Sequence, residues 1–223
     1  MKNIIEFLLD GLVSLAVPLI LSVISILVLL SPLYMNLEYR RPGFPEDRYG
    51  FTTEERLQYG NLSRRYLVSR QPLDVLRDLE FASGEQLYLE RELTHLEDVK
   101  VVIGGVLRAF AVGVALTAFS WLYSKANHRL DAYRRAIARG GRLTTILLLT
   151  ILFLTLVSFQ SLFTNFHLIF FEGDSWLFAY SDTLIRLFPM RFWQDAFLVF
   201  GTLTLAGGVV LGWLLPLRHR EAE

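Results

Sequence analysis

Four long apolar blocks, separated by polar segments, dominate the pattern along the chain. They run over residues 8–34, 99–123, 143–163 and 192–216, and each approaches the roughly 20 residues that a helix needs to cross about 30 Å of hydrocarbon. The first block follows Lys2, as a signal peptide would, but its apolar run is too long for a signal core and no small-residue cleavage site follows. The pattern therefore predicts an all-α membrane protein with four transmembrane helices, the first of which is a retained anchor.

The polar stretches around these blocks set the expected organisation of the chain. In order, we expect the N-terminus and span one (1–34), an outer segment (35–98), span two (99–123), a basic cytoplasmic loop (124–142), span three (143–163), an aromatic outer loop (164–191), span four (192–216) and a cytoplasmic tail (217–223).

The outer segment carries local signals for helices. Thr52 and Glu55 have the spacing of a capping box that opens one helix. Pro72 suits the first position of another helix over residues 73–79. No helix breaker lies between about Gln86 and span two, so a third helix should continue into the membrane. These signals predict a small, mainly helical extracellular domain between spans one and two.

The basic residues near the span ends predict the orientation. The loop between spans two and three and the C-terminus are strongly basic, with Lys125, Arg129, Arg134, Arg135, Arg139, Arg142, Arg218 and Arg220. Such segments face the cytoplasm, whereas the loop 164–191, in which acids outnumber bases, should lie outside. Segment 35–98 must share the outer side, because loops of its length translocate largely regardless of charge. Both termini are then expected in the cytoplasm.

The composition narrows the possible functions. The chain is 53% hydrophobic, and its 22 basic residues balance its 22 acidic ones. With no net charge, nothing favours nucleic acid as a partner. The sequence contains no cysteine, which excludes thiol catalysis, disulfide bonds and cysteine-based metal sites.

The first group of chemically interesting residues precedes span two. Glu92, His95 and Asp98 are three residues apart, so on a helix they share one face. Either carboxylate could orient the ring of His95 and leave its other nitrogen free as a base. The alternative is that this stretch is only a solvated, charge-rich entry to the membrane helix.

The second group lies in the aromatic outer loop. Its rings suit a belt at the membrane interface, and they are Phe159, Phe163, Phe166, Phe170, Trp176, Phe178, Tyr180, Phe188, Phe192 and Trp193. Such a belt alone would only anchor the fold. His167 stands among these rings, where an ionisable group is costly unless it is partnered or used. We therefore expect lipid contacts here, with His167 as a functional residue.

Other residues that could carry chemistry have weaker support. Gly173-Asp174-Ser175 lacks the surroundings of a serine nucleophile and is typical of a turn. A zinc site that uses His95, His167 and a carboxylate has no supporting spacing, so we predict no metal. Arg108 within span two should face the bundle interior or extend toward water or a phosphate. His128 and His219 are expected to be solvated bystanders.

The two outer segments together resemble a known family. The motifs are Glu92-x-x-His95-x-x-Asp98-Val99-Lys100, Phe166-His167-x-x-Phe170, Asp174-x-Trp176-x-Phe178 and Asp182-x-Leu184-Ile185-x-Leu187-x-Pro189-x-x-Phe192. They are similar to those of the bacterial four-span lipoprotein intramolecular transacylases (Lit), and the likeness extends to span number and loop order. Segment 35–86 matches only loosely, and Met190 and Arg191 stand where the family pattern has an acidic residue.

This resemblance implies an acyltransferase. Its substrate would be a diacylglyceryl-modified lipoprotein, whose sn-2 acyl chain moves to the α-amino group of the N-terminal cysteine. His95 and His167 match the two family histidines and would supply acid and base, although His95 as a transient nucleophile is also open. No cofactor is expected, because donor and acceptor are one molecule. The alternative is a non-catalytic module that binds lipid or a partner protein through the aromatic loop.

Further residues are expected to assist. The supporting carboxylates are Glu92, Asp98, Asp174 and Asp182, and the candidates for contact with a headgroup or the reacting oxygen are Lys100, Arg108, Trp176 and Arg186.

Overall fold

The computed structural model of the chain describes residues 2–214, and within them the side chains of residues 4–153 and 158–214. The helices in this part of the chain are α1 (Lys2–Leu29), α2 (Pro32–Tyr39), α3 (Thr53–Val68), α4 (Asp74–Arg77), α5 (Glu90–Ala126), α6 (Leu130–Val157), α7 (Phe159–Phe170), α8 (Thr183–Leu187) and α9 (Met190–Val209), which ends in a π-helical turn over Val210–Leu214. Outside these helices the described residues hold a single isolated bridge, between Glu80 and Gln86.

Four helical stretches are long and apolar enough to cross a membrane. They are Ile4–Leu29, Glu90–Ala126, Leu130–Phe153 and Met190–Leu214. The predicted fold class, an all-α membrane protein with four spans, is confirmed. The expected C-terminal tail, with Arg218, His219 and Arg220, lies outside the described residues, as do the last two residues of the predicted fourth span.

The chain divides into two compact units. The membrane unit comprises Met1–Leu27, Val106–Val157 and Leu198–Glu223, and the interspan unit comprises Val28–Gly105 and Ser158–Phe197. The boundaries between the two units fall within α1, α5 and α9.

Within the membrane unit, glycines bring the backbones of α1, α6 and α9 together. A methyl group added to Gly140 would lie 2.6 Å from Cβ of Val17, and one added to Gly141 would lie 2.8 Å from the carbonyl oxygen of Gly208. Larger residues at these positions would force the helices apart, as at other close helix crossings in membranes. The Thr204 hydroxyl also donates to Ser25 Oγ at 2.8 Å, so a polar contact adds to the close packing.

The interspan unit has its own apolar core. Its buried members are Phe51, Tyr66, Leu76, Leu87, Tyr88, Leu93, Leu96, Leu184 and Leu187. Two buried hydroxyls fasten the loop 171–190 to this core, since Tyr39 donates to the carbonyl of Leu187 and Thr183 donates to that of Leu87. A compact, mainly helical unit therefore exists, but it includes residues from both long polar segments of the chain.

The local helix signals are confirmed in part. Thr52 and Glu55 form the predicted reciprocal capping box at the start of α3. The short helix after Pro72 is present as α4. The third helix, expected from about Gln86, begins only at Glu90, because residues 79–87 form a hairpin-like loop in which Leu87 N donates to the carbonyl of Leu79 and Phe81 N to that of Glu85.

The predicted third span also differs from the structure. The apolar block 143–163 is not one continuous helix, because Ser158 is extended (φ −163°, ψ 102°) and caps α7 by accepting a hydrogen bond from Ser161 N. A serine hydroxyl at this position satisfies one of the free N–H groups of a new helix. The break starts a separate amphipathic helix that carries His167.

Candidate active site

Two histidines from different segments meet in the interspan unit. His95 lies in the second turn of α5, and His167 lies near the end of α7. Their ring centroids are 6.2 Å apart, and the ring planes are inclined by only 21°. The chain thus places two imidazoles side by side, close enough for one substrate group to reach both.

Aromatic side chains enclose this histidine pair. The His95 ring lies 4.8 Å from that of Phe171 and 5.4 Å from that of Phe178, measured between centroids. The His167 ring stacks on Trp176 at 4.7 Å and makes a tilted contact with Phe163 at 4.2 Å. Such rings exclude water, which strengthens any electrostatic interaction made within the site.

The hydrogen bonding of His167 fixes which of its nitrogens is free. Nδ1 lies 2.7 Å from the carbonyl oxygen of Phe163, and a carbonyl can only accept, so Nδ1 carries the proton. Nε2 then holds a lone pair and is available as a base. Burial lowers the pKa of His167 below its ordinary value, while the bond to Phe163 acts in the opposite direction. The neutral form of the ring is favoured.

Two polar atoms in this site have no partner. Nδ1 of His95 and Nε1 of Trp176 are both buried, and neither makes a hydrogen bond to any described residue. A buried polar group without a partner is costly. The site therefore offers one ring nitrogen and one N–H donor to a ligand that can satisfy them.

Glu92 does not contact His95, contrary to the expectation from their spacing. Its side chain is completely buried, and its two oxygens accept hydrogen bonds from Leu89 N at 2.8 Å and Leu184 N at 2.6 Å. Glu92 is the third residue of α5, where a carboxylate reaches back to the N–H that precedes the helix. It therefore joins the start of the His95 helix to the start of α8.

The other three predicted carboxylates have different environments. Asp98 and Asp174 are exposed, and neither side chain hydrogen-bonds to a described residue. Asp182 is buried; its Oδ2 accepts from Ala179 N at 2.8 Å and pairs with Arg91 at 2.7 Å. Asp182 thus shapes the loop that carries Trp176 and Phe178, and none of the three contacts either histidine.

Arg186 is held away from any headgroup by a buried ion pair. Its guanidinium contacts Asp47 Oδ2 at 3.0 Å and lies 3.7 Å above the Phe51 ring. Burial alone would raise the pKa of Asp47, but hydrogen bonds from Arg186 and from the N–H of Phe51 outweigh it and hold this pKa below its ordinary value. The pair links the two polar segments of the chain.

The two remaining predicted cations, Lys100 and Arg108, differ in their surroundings. Lys100 donates to the carbonyl of Gln71 and lies 3.8 Å above the centre of the Tyr66 ring. Arg108 belongs to the membrane unit and is exposed, which agrees with the second of its two expected arrangements, extension toward water or a phosphate. Its long side chain can extend along the helix toward the interface.

The turn after α7 uses its polar residues locally. Gly173 has φ +58°, a conformation that favours glycine. The Ser175 hydroxyl donates to the carbonyl of Glu172 at 3.2 Å. Ser175 is therefore part of a turn, as the sequence indicated.

No group of three or more histidines and acids suited to a metal occurs among the residues whose side chains the structure describes.

Comparison with known proteins gives one family. The family model described as Lipoprotein intramolecular transacylase Lit matches residues 11–193. A protein from Aquifex aeolicus (strain VF5), described as uncharacterized, is 31% identical over 188 residues, which cover 84% of each chain.

Solved structures show the same fold. The membrane integral lipoprotein intramolecular transacylase Lit from Bacillus cereus superposes with a TM-score of 0.80 at 17% identity, covering 99% of this chain and 100% of that one. A variant of the Bacillus cereus protein with one histidine changed to alanine superposes with a TM-score of 0.72 at 16% identity, covering 100% of this chain and 98% of that one.

Proposed function

Since the chain belongs to the lipoprotein intramolecular transacylase family, a family of membrane-integral acyltransferases, we propose that His95 and His167 catalyse its reaction by acid and base catalysis. The substrate is a lipoprotein whose N-terminal cysteine carries a diacylglyceryl group and a free α-amino group. The sn-2 acyl chain moves to this amine, and the lyso form remains. The observation that carries the proposal is the pair of imidazoles, 6.2 Å apart in an aromatic enclosure.

The reaction needs one proton to be removed and one to be supplied. The amine nitrogen attacks the ester carbonyl, a C–N bond forms, and the carbonyl oxygen becomes negatively charged. The C–O bond to glycerol then breaks, and the departing oxygen takes a proton. The amine loses the proton that the glycerol oxygen gains, so no oxidant, water or external acyl donor is consumed.

His167 suits the role of base. Its Nδ1 proton is held by Phe163 at 2.7 Å, which leaves Nε2 free to accept the amine proton. Burial lowers its pKa, which favours the neutral ring that a base requires. His95 stands beside it as the acid toward the glycerol oxygen, with the reverse assignment and a nucleophilic His95 as the alternatives.

Trp176 suits the role of donor to the developing oxyanion. Its buried Nε1–H has no partner among the described residues, and its ring stacks on that of His167 at 4.7 Å. A preorganised donor in a water-poor site stabilises the charge of the tetrahedral intermediate. When substrate binds, the indole N–H would gain the hydrogen-bond acceptor that it lacks in the free protein.

The surroundings suit a lipid substrate. Apolar side chains on α7 and the following loop are exposed in this chain, namely Phe166, Leu168, Ile169, Phe170 and Leu177. Such a surface fits acyl chains at a membrane interface. We place the site on the outer face of the bacterial cytoplasmic membrane, with both termini inside, because the basic loop 124–142 should face the cytoplasm.

The test is direct measurement of product. Lipoprotein N-termini are analysed by mass spectrometry from cells that produce the wild-type protein, His95→Asn or His167→Asn. We expect the lyso, N-acylated product to fall by at least about a hundredfold in each variant, since general acid–base catalysis contributes that much or more. Retention of product in both variants would exclude the histidine mechanism.

His128→Asn is the matched control. His128 adopts φ +55° between α5 and α6, a conformation that asparagine tolerates, so the variant should fold and retain full activity. Equal protein levels in the membrane fraction separate loss of chemistry from loss of fold. If the aromatic loop only binds lipid or a partner, the two site variants will behave like the control.

A further inference from the structure

A second cluster of ionisable groups lies in the interspan unit, where α2 meets the start of α9. Asp195 is 5% exposed, and its Oδ2 contacts Arg191 Nε at 2.7 Å and Arg41 Nη1 at 3.0 Å. One buried carboxylate, that of Asp195, therefore holds two arginines from different segments of the chain. A second carboxyl group, that of Glu38 on α2, is buried nearby and 4% exposed.

The cluster carries more positive than negative charge. Burial and the neighbouring Asp195 raise the pKa of the Glu38 carboxyl group to about 7, which favours its neutral form. Asp195 pairs with both Arg41 and Arg191, so one carboxylate faces two guanidinium groups.

The arginines keep most of their donors free. The Arg41 and Arg191 side chains are 46% and 48% exposed, and each directs a single N–H group to Asp195. A guanidinium has five donors in a planar fork, which fits the oxygens of a phosphate. The buried Asp195 fixes both forks, so little conformational entropy remains to be lost on binding.

A buried hydroxyl in the same cluster has no partner. Tyr34 is 6% exposed, and its hydroxyl hydrogen-bonds to no described residue. Tyr34 lies one helical turn before Glu38 on α2, and its ring contacts that of Phe192, the neighbour of Arg191, at 5.7 Å. An unsatisfied donor beside two arginine forks indicates that an oxygen-rich ligand belongs there.

The position of the cluster suggests what this ligand is. Arg191 is the second residue of the span Met190–Leu214, and Arg41 follows α2, which begins shortly after the span Ile4–Leu29 ends. Arginines at the ends of spans lie at the depth of lipid headgroups. The ligand should therefore carry both a phosphate and acyl chains.

We propose that Tyr34, Arg41 and Arg191, with both arginines held by Asp195, bind the phosphate of a membrane phospholipid at a site separate from the histidine pair. Aromatic rings stand between the two sites, since Tyr34 contacts Phe192, Phe192 contacts Trp193, Trp193 contacts Phe163, and Phe163 contacts His167. The proposal does not depend on the histidine mechanism, because it concerns binding at different residues.

The experiment is a lipid titration of the full-length protein in detergent, followed by native mass spectrometry. The probes are phosphatidylglycerol, diacylglycerol of the same acyl chains, and inorganic phosphate. We expect one molecule of phosphatidylglycerol to bind and diacylglycerol not to bind. Arg41→Gln and Arg191→Gln should each weaken binding by about tenfold, the effect of losing a charge-assisted hydrogen bond.

The adjacent Arg40 provides a matched control. It has the same charge and is exposed, but it contacts neither Asp195 nor any other described side chain. Arg40→Gln should change binding by less than about twofold, as expected for an exposed charge. An equal loss with Arg40→Gln would overturn the proposal in favour of general charge attraction, and equal binding of diacylglycerol would overturn the role of phosphate.

Two further variants separate binding from folding. Tyr34→Phe removes only the unpartnered hydroxyl, so it should weaken lipid binding while the melting temperature of the lipid-free protein stays the same or rises. Arg41→Lys retains the charge without the fork and should bind less well than wild type. Binding of inorganic phosphate without phosphatidylglycerol would show a free-anion site and would contradict the lipid proposal.

Discussion

Glu92 Oε1 accepts a hydrogen bond from the backbone N–H of Leu184 at 2.6 Å, so one buried carboxylate joins the helix of His95 to the loop that follows His167. Its other oxygen caps the same helix at Leu89. The mutual placement of the two histidines therefore depends on a residue that touches neither ring.

Replacement of Glu92 by alanine should destabilise the protein. Two buried N–H groups would lose their acceptor, at a cost of about 2–4 kcal/mol in the free energy of unfolding. Glu92→Gln, which offers one oxygen in place of two, should cost less. Thermal unfolding in detergent measures the effect, and Glu97→Ala is the control because Glu97 is exposed on the same helix. Equal melting temperatures for Glu92→Ala and Glu97→Ala would contradict the structural role of Glu92.

The buried pair Arg186 and Asp47 makes a second prediction about stability. Removal of either partner leaves an unpaired buried charge, which costs about 3–5 kcal/mol, so Arg186→Gln and Asp47→Asn should each lower the melting temperature. The double variant should be destabilised by less than the sum of the two. If Arg186 contacted a lipid headgroup instead, Arg186→Gln would raise KM and Asp47→Asn would leave it unchanged.

Local signals were the part of the fold that the sequence could predict. The four apolar blocks and the capping box of Thr52 and Glu55 depend on neighbouring residues, and both are present in the structure. Helix boundaries were predicted less accurately, because a loop over residues 79–87 precedes the start of α5 at Glu90 and Ser158 interrupts the third apolar block. Gly84 (φ +85°) lies in that loop, but no glycine or proline marks the break at Ser158.

The environment of the site depends on contacts between distant segments. His95 and His167 were recognisable individually. The spacing of Glu92 indicated a contact with His95, whereas in the structure the Glu92 carboxylate accepts hydrogen bonds from two backbone N–H groups. No local sequence pattern predicts these hydrogen-bond partners, since they depend on which donors the fold brings close to the carboxylate. The pairing of Asp195 with Arg41 was missed for the same reason.

Trp176 provides a test of transition-state stabilisation. Trp176→Phe keeps an aromatic ring against His167 but removes the Nε1 donor, so kcat should fall by about a hundredfold or more while KM changes little. Trp193→Phe is a suitable comparison, because Trp193 Nε1 is not a buried, unpartnered donor in this chain. A purely structural role for Trp176 would lower the melting temperature in proportion to activity, so both are measured. Full activity of Trp176→Phe would exclude the indole as oxyanion donor.

The pKa of His167 gives the last prediction. Burial lowers it below the ordinary value of 6.5, because a charged ring is disfavoured where water is excluded. The unfolded chain therefore binds more protons at this residue, and its contribution to stability should increase with pH as pH rises from the native pKa toward 6.5. The same shift keeps the base neutral under mildly acidic conditions.

Nuclear magnetic resonance of protein labelled with ¹³C-histidine measures this pKa directly, with His167→Asn to assign the signal. The midpoint should lie below 6.5 in wild type. Trp176→Ala opens the enclosure and should move the midpoint upward, whereas Trp176→Phe keeps the ring covered and should leave it near the wild-type value. A midpoint that does not respond to Trp176→Ala would show that burial by the indole is not the cause of the lowered pKa, because the bond to Phe163 acts in the opposite direction.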